Sequence, residues 1–262
     1  MKIREIIDAL EKFAPLPLQE SYDNAGLQIG LTETEVSGAL LCLDVTEEVI
    51  REAVSLECNL VISHHPLLFR GLKTISDSTY VERCVRMAIQ NEICIYAAHT
   101  NLDNLPTGVN GILAQVLEMT NCQILRPMKG LDIPEVGAGM IGDLLYPLPM
   151  DLFLEKVKAA LRLPVLRTAR TDKQVVSRVA ICGGAGSFLI EDAIAQGADI
   201  YLTGDLKYHD FQQAEGRIAM VDVGHYESEQ FSKELIYSII SKKFSNFACF
   251  ISERGRSFIN FI

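Results

Sequence analysis

Leu60-Val-Ile-Ser-His-His-Pro66 ends a short apolar run on two adjacent histidines. The run has the length and β-branched content of a buried strand, and the proline bars its continuation. Adjacent imidazoles make poor core material, because each ring brings two nitrogens that need partners or water. In an open α/β sheet, ligands gather at the carboxyl ends of the strands. The stretch therefore reads as a strand of such a sheet, delivering a histidine pair to a metal site.

Outward from it, strand-like and helix-like segments alternate, the pattern of α/β layers. Apolar residues at 3, 6, 7, 10 and 13 have the spacing of an amphipathic helix. Strands are expected at 39–43, 60–63 and 93–97, with helices at 47–56, 80–91 and 107–117. After a central region the pattern returns, with strands at 179–182, 200–203 and 218–221 and helices at 188–196, 208–214 and 228–241.

The two series align without a gap at an offset of 140 residues, which becomes 126 further on. Leu41-Cys42 falls on Ile181-Cys182, residues 49–54 on 189–194, and Asn59-Leu-Val-Ile-Ser63 on Asp199-Ile-Tyr-Leu-Thr203. Further on, His99-Thr-Asn-Leu-Asp103 falls on His225-Tyr-Glu-Ser-Glu229, so each half follows a strand with His-x-x-x-carboxylate. Apolar strands match readily by chance, but a shared polar unit in the same place does not. The expected fold is α/β: two related halves from an internal duplication, 1–125 and 126–262, forming one compact unit without an inserted domain. The metal site is expected in the cleft between them.

The candidate ligands are His64, His65, Asp103, His225 and Glu229. Imidazole and carboxylate without thiolate suit zinc, iron, manganese or cobalt. Five donors exceed the usual set of one tetrahedral ion, and a carboxylate can bridge two ions about 3.5–4 Å apart, so the reading is a dinuclear centre. Taken singly, each residue has a plainer role; Asp103, for instance, precedes a helix that a carboxylate would cap. His99, at the repeat position of His225, is a ligand, a partner orienting one, a proton carrier, or a hydrogen-bonded core histidine. Asp205, Lys207 and His209 lie where Ser63-His-His-Pro66 lies in the first half; they either face substrate or begin a solvated helix.

Two glycine-rich stretches need weighing. The string Gly137-x-Gly139-x-x-Gly142 imitates a dinucleotide fingerprint, but Pro134 breaks the approach and the prolines at 147 and 149 forbid a following helix. A turn and strand are expected there, then a helix at 151–161. Cys182-Gly-Gly-Ala-Gly-Ser-Phe188 lacks the Lys and Ser/Thr of a P-loop; it is either a phosphate-holding turn or simply a tight one.

Composition excludes several classes. A formal net charge of −10 argues against non-specific binding to nucleic acid or to an anionic membrane. No apolar stretch is long enough to span a bilayer, and the N-terminus lacks the features of a signal peptide. The seven cysteines are scattered and never form Cys-x-x-Cys, the usage of reduced, buried thiols in a cytoplasmic protein.

Ser21-Tyr-Asp-Asn-Ala-Gly-Leu-Gln-Ile-Gly30, Ser63-His-His-Pro-Leu67, His99-Thr-Asn-Leu-Asp103, Thr203-Gly-Asp-Leu-Lys-Tyr-His209 and Gly224-His-Tyr-Glu-Ser-Glu229 occur in family order. In these motifs, and over essentially its whole length, the chain resembles the GTP cyclohydrolase I type 2 homologues, also called Nif-three-like proteins. Tyr22 stands where that family usually has Trp. The resemblance implies a duplicated α/β fold and a dinuclear centre held by His64, His65, Asp103, His225 and Glu229. It also implies a toroidal homohexamer whose sites face an interior cavity. The expected function is metal-dependent hydrolysis of a nucleotide or related small molecule. The alternative is a non-catalytic metal-binding ring that delivers metal or serves as an interaction scaffold.

Overall fold

Thr46 and Thr79 show how local chemistry sets the first elements. Each hydroxyl accepts a hydrogen bond from the backbone N–H three residues on, Val49 and Glu82, and so starts a helix. These are Glu47–Ser55 and Tyr80–Gln90, flanking the buried strand Leu60–Ser63. The structure, a computed structural model, describes residues 1–130, 133, 135–169 and 171–260; Pro134 lies outside them. Contacts group the chain into two compact units, Met1–Leu102 with Ser232–Arg256, and Asp103–Phe231 with the tail from Ser257.

The first unit is built on a five-stranded sheet in the order Gly26–Ile29, Cys94–Ala97, Leu60–Ser63, Ala39–Cys42, Cys249–Ile251. All neighbours are parallel except the first pair. Its three central strands are buried at every residue, as a sheet covered on both faces requires. The helix Ile3–Phe13 buries Ile3, Ile6, Ile7 and Leu10, the stripe that the 3.6-residue period marks out. The edge strands Gly26–Ile29 and Cys249–Ile251 carry no clear period and were not expected from the sequence.

The second unit has a six-stranded sheet in the order Met119–Pro127, Gly137–Pro149, Val175–Ala185, Ile200–Gly204, Ala219–Asp222, Arg167–Thr168. Its parallel part is the run of Val175–Ala185, Ile200–Gly204 and Ala219–Asp222. In the first unit Ala39–Cys42, Leu60–Ser63 and Cys94–Ala97 form a parallel run in the same order, and these are the segments that the sequence alignment pairs. Gly137, Gly139 and Gly142 all lie inside one strand that is antiparallel to both neighbours. No dinucleotide turn is formed there.

The helix expected at 228–241 is two helices, His225–Glu229 and Ser232–Lys243. The division falls where the chain leaves the second unit for the first. The first buries Glu227, Ser228 and Glu229, and the second buries Leu235, Ile236 and Ile240. Among the described residues, no helix is long and apolar enough to cross a membrane.

Candidate metal centre

In the first unit, the ladder that pairs Ala39–Cys42 with Leu60–Ser63 extends one step beyond the strands. His64 N–H donates to Cys42 O and His65 N–H to Leu43 O. The backbone beneath the histidine pair is therefore as rigid as the sheet. His99 follows the neighbouring strand Cys94–Ala97, and Ala98 N–H donates to Ser63 O. One ring nitrogen of each of His64, His65 and His99 lies within 4.8 Å of the other two. The ring centroids stand 5.1–5.5 Å apart. The structure thus joins His99 to the double-histidine motif.

Each of these rings uses Nδ1 in the same way. His64 Nδ1 donates to Ala98 O at 2.8 Å, His65 Nδ1 to Asp44 Oδ1 at 2.8 Å, and His99 Nδ1 to Asp23 Oδ1 at 2.7 Å. A carbonyl and an ionised carboxylate can only accept, so the proton sits on Nδ1 and the Nε2 lone pair is presented. This is how metal-ligating histidines are oriented and made more basic.

Asp23 is itself held firmly. Its carboxylate also accepts from Asn24 N–H, Thr100 N–H and the Thr100 hydroxyl. Burial alone would raise its pKa, but the hydrogen bonds from His99 and Thr100 outweigh it and hold the group at about 2. Sequence reasoning missed Asp23 and Asp44 as partners. Their only signal was position: Asp44 just past a strand end, and Asp23 within the Ser21–Gly30 motif.

In the second unit, His225 and Glu229 sit one helical turn apart on His225–Glu229, and His225 Nε2 lies 3.1 Å from Glu229 Oε2. His225 Nδ1 is 2.8 Å from Asp205 Oδ2, repeating the arrangement of the first unit. With Nδ1–H committed to Asp205, a neutral ring would set the Nε2 lone pair against a carboxylate oxygen. A proton or a divalent cation relieves that opposition. Glu229 is 4% exposed, so its charge needs such a partner.

The glycine run explains how Glu229 is buried. Cys182 to Ala185 still belong to the strand Val175–Ala185, and the turn comes later, at Ser187–Leu189. Gly183 N–H donates to Asn110 Oδ1 and Gly184 N–H to Ser228 Oγ. Those groups are spent inside the protein, so the run does not cradle a phosphate through them. Gly184 has φ +64°, and a Cβ there would stand 2.2 Å from Glu229 Oε1. The glycine makes room for the carboxylate.

Asp103 is the last residue of the short helix Thr100–Asp103, and its carbonyl accepts from Asn110 Nδ2. The next helix, Val109–Val116, has Gly108 at its N-cap, so Asp103 does not cap it. Cys182 is buried; burial first, then the charges of Asp103 and Glu229, push its thiol well up. It remains a neutral thiol, poorly suited to ligation.

Of the other expected residues, Asp205 orients His225. Lys207 and His209 are exposed: Lys207 starts the helix Tyr208–Gln213, and His209 Nδ1 pairs with Gln212 Oε1 at 3.1 Å. Neither falls in a His/carboxylate cluster among the described residues. A surface cavity of about 570 Å³ in the first unit, lined by Glu48, Arg51, Glu52, Phe250 and Arg254 among others, contains no histidine.

The donor set fits a borderline divalent ion. Three imidazoles converge in the first unit and an imidazole meets a carboxylate in the second, without thiolate, and each ring is fixed by an oxygen on its Nδ1 side. The family model described as Duf34/NIF3 (NGG1p interacting factor 3) matches residues 1–256. A Clostridium perfringens protein named GTP cyclohydrolase 1 type 2 homolog is 37% identical over 232 residues, 87% of each chain. A Lactococcus lactis protein of the same name is 35% identical, with 88% of each chain covered. Among solved structures, a Bacillus cereus protein related to NIF3 superposes with a TM-score of 0.91 at 26% identity, covering 100% of this chain and 99% of that one.

Proposed function

The chain belongs to the Duf34/NIF3 family, and from that premise we propose that it is a dinuclear metal protein hydrolysing a nucleotide or related small molecule. The observation that carries this reading is the shared use of Nδ1. His64, His65 and His225 each give that atom to a protein oxygen, the arrangement that orients a metal-ligating imidazole, and His99 is oriented in the same way. The ligands proposed are His64, His65, Asp103, His225 and Glu229, holding two ions of zinc, iron, manganese or cobalt.

When bound, the two ions supply Lewis-acid activation of water near neutral pH and offset charge developing on the substrate. His99 accepts a proton at Nε2 and returns it to the leaving group, with Asp23 holding the ring and stabilising its charged form. Asp44 and Asp205 keep His65 and His225 in register. Buried Glu229 fixes the position of negative charge, since Gly184 leaves it no room to swing away.

The name of the two relatives supports a nucleotide substrate. The matched order of the two parallel strand runs supports an origin by duplication; the halves proposed are 1–125 and 126–262. The motif resemblance supports a hexameric ring, and the scattered, unpaired cysteines support a cytoplasmic location. The deciding experiment is metal analysis of protein purified without added metal, followed by a nucleotide hydrolysis screen. Metal-dependent turnover that is lost on ligand substitution bears out the reading. Stoichiometric metal with no turnover of any nucleotide would replace it by the metal-delivery or scaffold alternative.

A further inference from the structure

Tyr22, Asp23 and Asn24 are consecutive, and each holds a different part of the first unit. Asp23 grips His99. Asn24 Nδ2 donates to Leu68 O at 2.8 Å, while Gln28 Oε1 accepts from Leu68 N–H at 3.1 Å. Gln28 Nε2 closes the ring of bonds by donating to Asn24 O at 2.7 Å. Both backbone groups of Leu68 are thus clasped, and the next residue, Phe69, is placed by them. Residues 66–79 contain no helix or strand, yet Glu82 anchors them again through the Thr74 and Ser76 hydroxyls. A loop this long and this firmly tied has the character of a binding loop.

The clamp displays two aromatic rings. Phe69 stands 6.5 Å from Tyr22 and 6.2 Å from the His99 imidazole, edge-on to both. The rings are nonetheless open to solvent, Tyr22 at 62% and Phe69 at 44%. Leaving two large rings wet forgoes their burial, and here the arrangement is enforced by specific side-chain bonds. Flat apolar faces beside a cluster of imidazoles suit a ligand with a planar heteroaromatic part and a polar, reactive part.

We propose that Tyr22 and Phe69 form an aromatic wall that stacks the base of a nucleotide-like ligand beside His99. The proposal deepens the reading above and rests on it for the reaction, though not for binding. The base is held by its face, which tolerates different bases, while its edge or sugar is directed at the histidine cluster.

The test compares GMP and AMP with ribose 5-phosphate, which lacks only the base, by calorimetry on the full-length protein with metal content measured on the same samples. A nucleotide is expected to bind at least about tenfold more tightly than ribose 5-phosphate, the scale of base–aromatic stacking. Phe69→Ala and Tyr22→Ala should remove most of that preference while leaving ribose 5-phosphate affinity and metal content unchanged. The chain has no tryptophan, so Tyr22→Trp places a single reporter in the wall. Its emission should be quenched by GMP and not by ribose 5-phosphate. Equal binding with and without the base, no binding of either nucleotide, or an unchanged preference in both alanine variants would each overturn the wall. Base preference in protein that binds no metal would instead leave the wall standing and overturn the metal reading.

Discussion

Gly184 and Glu229 are packed so closely that the hydrogen of a glycine is all that fits between backbone and carboxylate. A methyl group in its place would stand 2.2 Å from Oε1 and 3.4 Å from His225 Cε1. Gly184→Ala should displace Glu229 and lower metal affinity by about 10–100-fold, the scale of lost support around a ligand. Gly216 also has positive φ, at +72°, but has nothing within 4 Å of a built Cβ. Gly216→Ala should therefore carry the backbone strain alone, about 1–2 kcal/mol, with full metal content. Equal metal content in the two variants would contradict the steric account.

Removing ligands should empty the site without unfolding the protein. His64 and Glu229 stand beyond the strands that form the cores, so His64→Ala/Glu229→Ala is expected to keep its circular dichroism and lose its metal. Elemental analysis of purified protein reads this directly. Full metal content in the double variant would rule out the ligand assignment.

Asp23 should leave a mark on acid stability. Its folded pKa, about 2, lies below the ordinary 3.8. A carboxylate lowered on folding stabilises the protein above its unfolded pKa, and that contribution is lost as pH falls from about 4 towards 2. The drop corresponds to at most about 2 kcal/mol, less where solvent screens it. Asp23→Asn should flatten this part of the profile, measured by urea unfolding at stepped pH. An unchanged acid limb would show that the carboxylate is not held as the geometry indicates.

Metal occupancy should itself fall with acid. Imidazoles must be neutral to ligate, and an unperturbed histidine titrates near 6.5. Occupancy is expected to decline below roughly pH 6, with tight binding moving the midpoint lower. Metal content and nucleotide turnover, followed on the same samples from pH 5 to 9, should decline together on the acid side. Turnover that persists after verified metal removal would dismiss the proposed chemistry.

Glu82 is buried and accepts from both Thr74 and Ser76, the far anchor of the 66–79 loop. Glu82→Ala should release the loop and speed tryptic cleavage after Arg70 and Lys73 several-fold, while the global unfolding midpoint moves little. Cleavage at the wild-type rate would show that Asn24 and Gln28 hold the loop unaided.

The sequence by itself determined the alternation of strands and helices, the strand ends that carry His64, His65, His99 and His225, and the pairing of the two strand series. These follow from local period and from residue chemistry, which are legible along the chain. The edge strands Gly26–Ile29 and Cys249–Ile251 were not, because short edges lack a period and exist only where a neighbouring strand accepts them. Only the tertiary structure decided which oxygen each histidine leans on. Asp23 reaches His99 across a large part of the first unit, and Asp205 reaches His225 from the end of another strand. It also decided that Gly183 and Gly184 make way for a carboxylate instead of holding a phosphate. A hydrogen bond or a steric gap between residues distant in sequence depends on how the sheets and helices pack. No local pattern encodes that distance.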